Sequence, residues 1–175
     1  MRGAPMMLPL LLAACNPAPQ PAREAPVQTT SQGSSQMEIS RSASRQANRG
    51  PTNWFSGTAT ITPLFEANGS SQVGAALVRF EPGARTAWHT HPLGQRLVVL
   101  EGKGWTQVEG GAVEAFQAGD VISCPPGVRH WHGATATDAM AHIAIQESKD
   151  GSPVTWMEHV SDDQYLKGPE IGAIG

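Results

Sequence analysis

Charge is scarce in this 175-residue chain. Only 15% of its residues are Asp, Glu, Lys or Arg, the net charge is −3, and no lysine or arginine cluster stands out. That argues against a nucleic-acid partner, which needs a dense positive surface. Cysteine is nearly absent, and Cys15 and Cys124 stand in unrelated contexts, so no disulfide framework can be read from them. Long apolar runs are missing too. The run from Met6 to Ala14 is too short to span a bilayer. Helical periodicity is confined to the tail at 161–167, where Ser161 is a plausible N-cap.

What the first fifty residues do contain is an address. Arg2, the short apolar run and the small residues before Cys15 follow the order of a secretory signal, of the kind cut before a cysteine that becomes lipidated. The reading is a signal peptide at 1–14, then a lipidated Cys15 and a linker at 15–49 rich in Pro, Gln, Ser and Thr. The linker has almost no large apolar side chain and cannot offset its ordering entropy. A cell-envelope lipoprotein, held at a membrane through Cys15, follows. Translation from Met37 would instead leave a cytoplasmic protein.

Residues 50–175 form the foldable part. From Gly57 onward, short β-rich runs alternate with turn residues, the pattern of a sandwich or barrel. Expected strands lie at 58–64, 73–80, 85–91, 95–100, 104–109, 112–116, 121–123, 128–134, 139–146 and 153–157. Gly110-Gly111 marks a tight hairpin between two of them. Alternation places Ala76, Val78 and Phe80 on one face, and His142, Ala144 and Gln146 on one face of a later strand. The five tryptophans read as ordinary core.

The chemistry is concentrated in Gly83-Ala-Arg-Thr-Ala-Trp-His89-Thr-His91-Pro-Leu-Gly-Gln95, answered by Gly119-Asp-Val-Ile-Ser-Cys-Pro125-Pro-Gly127-Val-Arg-His130. Residues i and i+2 of a strand share a face, so His89 and His91 can aim together. With His130 and Gln95 they offer three imidazoles and one amide oxygen to a single metal ion. Four such ligands leave open positions in an octahedral shell, which suits Mn(2+) or Fe(2+), or another divalent first-row ion, better than four-coordinate zinc. A glutamine ligand is neutral, so the full charge of the ion acts on substrate, and Lewis-acid work is favoured.

These two segments resemble the paired motifs of the cupin superfamily. Gly83, His89, His91 and Gly102 match the first motif; Gly119, Pro125, Gly127 and His130 match the second. Gln95 stands where most cupins have Glu, and Ala134 where many have Asn. The resemblance covers roughly residues 52–165. It implies an all-β, single-domain jelly-roll barrel (a double-stranded β-helix) with a short C-terminal helix. Within cupins, Gln95, the run from Glu81 to His89 and His130-Trp-His132-Gly are similar to bacterial manganese-dependent hydroxynitrile lyases, which cleave cyanohydrins such as (R)-mandelonitrile to an aldehyde and hydrogen cyanide.

By that resemblance, His132, His142 and Gln146 line the pocket as catalytic residues, and Ala76 and Val78 shape it. Imidazole titrates near working pH, so His132 or His142 could be the general base that later protonates cyanide. Two alternatives stay open at this point: a metal-dependent dioxygenase on the same scaffold, and a non-catalytic cupin that binds a small molecule. A homo-oligomer is also open. Arg85 could hold an anion or tie down a turn. His159 reads as surface and Cys124 as a buried small hydrophobe.

Overall fold

The computed structural model describes residues 37–169. Cys15 and the expected signal peptide lie outside them, as does the linker up to residue 36. Among the described residues, no helix is long and apolar enough to cross a membrane.

In chain order the strands are β1 (Asn48–Arg49), β2 (Phe55–Ser56), β3 (Ala59–Phe65), β4 (Val73–Phe80), β5 (Arg85–Thr86) and β6 (His89–Thr90). They continue as β7 (Gln95–Val108), β8 (Val113–Gln117), β9 (Val121–Cys124), β10 (His130–Ala134), β11 (Met140–Glu147) and β12 (Thr155–Trp156). Among the described residues one α-helix, α1 (Asp162–Tyr165), follows, and a short 3-10 turn at Ser42–Ser44 precedes β1. All strand pairings are antiparallel. One face of the barrel runs β1-β3-β4-β11-β7-β9, and the other is built from β2, β5, β10, β7 and β8, with β6 between β10 and β12.

One strand serves both faces. The first half of β7 pairs with β11 and β9, and its second half pairs with β10 and β8. The sequence pattern suggested two strands here, at 95–100 and 104–109. They are a single strand that turns a corner at Gly102 (φ +71°), where any Cβ would collide with the Ala139 carbonyl.

The run 85–91 behaves in the opposite way, splitting into β5 and β6. Ala87 N–H donates to the Trp54 carbonyl (2.7 Å) and Trp88 N–H to that of Glu158 (2.9 Å), so both leave the ladder for neighbouring segments. Asn48 and Arg49, expected as linker, pair with Ile61 and Thr60 as an edge strand.

Two apolar clusters flank the sheets. The inner one gathers Phe55, Val78, Phe80, Leu97, Val99, Phe116 and Met140. The outer one packs Trp88, Val113, Trp131, Val160 and Tyr165 beneath α1. Ser161 caps that helix in a reciprocal box with Gln164. Arg85 ties the tail down. It donates to the Val160 carbonyl (2.9 Å) and to Asp162 Oδ1 (2.5 Å), and lies over the Tyr165 ring. It thus ties down the turn into α1, and the anionic group it meets there is the Asp162 carboxylate.

Candidate metal centre and active cavity

Strand register assembles the site. His130 of β10 lies directly opposite His89 of β6, and His89 lies opposite Trp156 of β12. On the other face, Gln95 of β7 pairs with Gln146 of β11, and His142 pairs with both Val99 and Val78. The faces of β4 and β11 therefore point as alternation predicts: Ala76, Val78 and Phe80 line the same cavity as His142, Ala144 and Gln146. That cavity measures about 430 Å³.

Five imidazoles meet at its inner end. His89, His91, His130, His132 and His142 are all buried, and so is Gln95. Ring centroids are 4.2 Å apart for His89 and His130, 5.1 Å for His89 and His91, and 5.7 Å for His91 and His130. His132, expected in the pocket, also reaches this group. One nitrogen each from His89, His130 and His132 lie within 4.8 Å of one another.

Hydrogen bonding assigns the ring protons. A carbonyl oxygen can only accept, so Nδ1 carries the proton in His89 (to Ala87, 2.9 Å), His91 (to Pro153, 2.7 Å) and His130 (to Val128, 3.0 Å). In each neutral ring the Nε2 lone pair is left bare, and His91 Nε2 is buried with no partner. Gln95 donates from Nε2 to Gln146 Oε1 (3.3 Å), which turns its own Oε1 to 3.5 Å from His130 Nε2. Two lone pairs facing each other in a buried place are unfavourable without a cation to share. The donor set thus fits a divalent metal ion.

Burial keeps these rings neutral. It holds His89 well below its ordinary 6.5, helped by the nearby His130, lowers His91 to about 4, and lowers His130 as well. Burial also lowers His142 to about 3, and His132 well below 6.5 with His142 beside it. The expectation that His132 and His142 titrate near working pH is therefore corrected: enclosed by apolar walls, both stay uncharged in that range. Their rings lie 4.9 Å apart, and His132 Nδ1 and both nitrogens of His142 have no hydrogen-bond partner.

The cavity's outer walls are apolar. Trp54 and Trp156 stack at 5.3 Å with planes 10° apart, and Phe55 tilts against Trp156 at 5.9 Å. Sequence reasoning placed these tryptophans in the core and missed them as walls. For Trp156 the alternation within 153–157 was the available signal; Trp54 sits in a turn that carries none. The Pro153 carbonyl that orients His91 is backbone, and no side-chain pattern announces it. His159 is exposed, 3.2 Å from Ser56 Oγ. Cys124 is a buried free thiol whose Sγ lies 3.1 Å from His130 Nδ1, and burial pushes it up to about 11.

Comparison with known proteins places this arrangement. Residues 76–145 match the cupin domain family. An (R)-mandelonitrile lyase from Granulicella tundricola is 59% identical over 131 residues, which is 75% of this chain and 100% of the relative. A cupin-like protein from Thermotoga maritima superposes with a TM-score of 0.66 at 38% identity, over 70% of this chain and 92% of that one. The polyketide cyclase RemF from Streptomyces resistomycificus shares the fold, with a TM-score of 0.60 at 19% identity, over 74% and 91% of the two chains.

Proposed function

The chain belongs to the cupin family, and on that premise we propose that it is a metal-dependent hydroxynitrile lyase, splitting cyanohydrins such as (R)-mandelonitrile into an aldehyde and hydrogen cyanide. The observation that carries this reading is the pairing of bare imidazole nitrogens with two unpartnered neutral histidines, His132 and His142, at one end of an aromatic-walled cavity.

His89, His91, Gln95 and His130 would hold the ion. The three histidines each have Nδ1 fixed by a backbone carbonyl, the arrangement that orients metal-binding imidazoles. His132 lacks such an anchor at Nδ1, so it is better placed as a proton acceptor despite its proximity. Manganese is the ion proposed, since nitrogen and carbonyl oxygen donors with open positions suit it. When bound, such an ion supplies Lewis acidity that makes an α-hydroxyl easier to deprotonate.

The chain's own groups do the rest. Trp54, Phe55 and Trp156 bind the aryl group and exclude water. His132 or His142 takes the hydroxyl proton; the O–H electrons become the second bond of the carbonyl, and the bond to the nitrile carbon breaks with its pair on cyanide. The imidazolium so formed is a strong acid in this buried setting and returns its proton to cyanide. Gln146 secures Gln95 from the opposite strand.

Purified protein reconstituted with manganese should release benzaldehyde from (R)-mandelonitrile and lose that activity on chelation. Unchanged cleavage in a demetallated sample would sink the metal reading. Oxygen uptake in step with product would replace the lyase with an oxygenase.

A further inference from the structure

A second hollow of about 350 Å³ adjoins the active cavity, and the two share Ala76, Gln146 and Pro153 as a common wall. The proposed reaction leaves it without a use. We infer that this hollow is a subsite for the distal part of the aldehyde half of the substrate, so that cyanohydrins extended beyond one aryl ring are bound across both spaces. This rests on the lyase reading.

Three features point that way. First, the inward face of β4 is graded. Gly74, Ala76, Val78 and Phe80 increase in size from the mouth towards the closed end, where Phe80 and Met140 are fully buried. Side-chain volume on this face is therefore least at Gly74, which lines the hollow. Second, β3 bulges beside this position, beyond its pairing with β1: Pro63 pairs with Ala76 and Phe65 with Ala75, so the strand bends where the hollow lies. Third, the walls it gains include Pro63 and the half-exposed Phe65, while Gln146, Ser148 and the exposed Glu66 are polar exceptions. A largely apolar space beside the reacting centre, with the Glu66 carboxylate at its edge, suits an aromatic or alkyl extension and not an anionic one.

Gly74 is the residue that keeps it open. A Cβ there would meet Ala67 N and Phe65 O at 3.6 Å, ordinary contact distances, and the backbone is not in the left-handed region. A β-branched side chain suits a strand and would fill the space without forcing the sheet apart.

The test uses Gly74→Val and Ser148→Trp, which fill the hollow from two different segments. Both are compared with the parent, manganese-loaded, on mandelonitrile and on its 3-phenoxy and 4-phenyl derivatives. Quenching of tryptophan fluorescence by benzyl alcohol and 3-phenoxybenzyl alcohol in metal-free protein gives a readout independent of turnover. The expected result is at least a tenfold fall in kcat/KM for an extended substrate relative to mandelonitrile, with mandelonitrile itself within about twofold. The extended alcohol should lose affinity in parallel. If one variant fails to fold, as judged by circular dichroism, the other decides. A parent that cleaves mandelonitrile but rejects both extended substrates overturns the subsite, as does a relative rate that neither folded variant changes. A parent that cleaves no cyanohydrin at all takes down the lyase reading and the subsite with it, and is recognised by the mandelonitrile control.

Discussion

Gln95 and Gln146 face each other across β7 and β11, and the amide of the first donates to the carbonyl oxygen of the second at 3.3 Å. This single bond decides which end of Gln95 looks at His130. Gln146→Leu removes the acceptor and lets the Gln95 amide turn over. We expect manganese affinity to fall about ten- to a hundredfold, measured by isothermal titration. Gln146→Glu, which can still accept, should restore most of it. Equal affinities for the two variants would show that Gln146 does not set the orientation.

His132 and His142 are predicted to act on protons and not on the metal. His142→Ala and His132→Ala should keep their manganese, by elemental analysis, while at least one lowers turnover by roughly two to four orders of magnitude. His89→Ala should lose both metal and turnover. A His132→Ala protein that is metal-free would instead make His132 a ligand, the arrangement its nitrogen's proximity to His89 and His130 allows.

Acid should destabilise the metal-free protein early. The folded state holds His91 at about 4 and His142 at about 3, both below the ordinary 6.5. Below pH 6.5 the unfolded chain takes up protons that the folded chain refuses, so stability is full above 6.5 and declines as pH falls towards those values. His91 alone, moved from 6.5 to about 4, corresponds to roughly 3 kcal/mol. Urea midpoints at pH 7.5 and pH 4.5 give the check, and His91→Gln should flatten the decline. Identical midpoints would mean that these rings protonate freely in the folded state.

The tether is testable apart from the chemistry. Full-length protein should fractionate with membranes, and Cys15→Ser should release it or block its processing. A soluble protein whose N-terminal residue is Met37 would favour the cytoplasmic alternative.

Much of this site was legible because it is written in side chains at period two. The strand Val73–Phe80 has the bounds that alternation assigned, and the inward faces of β4 and β11 follow from counting. The N-cap at Ser161 was legible from residue type, and the structure adds its reciprocal partner Gln164. The illegible parts depend on backbone meeting backbone. Gly102 joins two apparent strands because the Ala139 carbonyl approaches it closely, and Ala87 and Trp88 leave a ladder for carbonyls far away in sequence. The low basicity of His132 and His142 was equally hidden, since enclosure comes from Phe80 and other residues on different strands.

The unbroken course of β7 through the bend at Gly102 has a kinetic consequence. Its first half carries Gln95 and packs the inner cluster through Leu97 and Val99; its second half carries Trp105, which packs against Tyr165 of the outer cluster. Neither cluster can be completed without ordering the same segment. Its partners β10 and β11 arrive more than twenty residues later, so chain closure must precede most of the stabilising contacts. Concerted folding is therefore expected, and hydrogen exchange should show the amides of the two halves of β7 opening together.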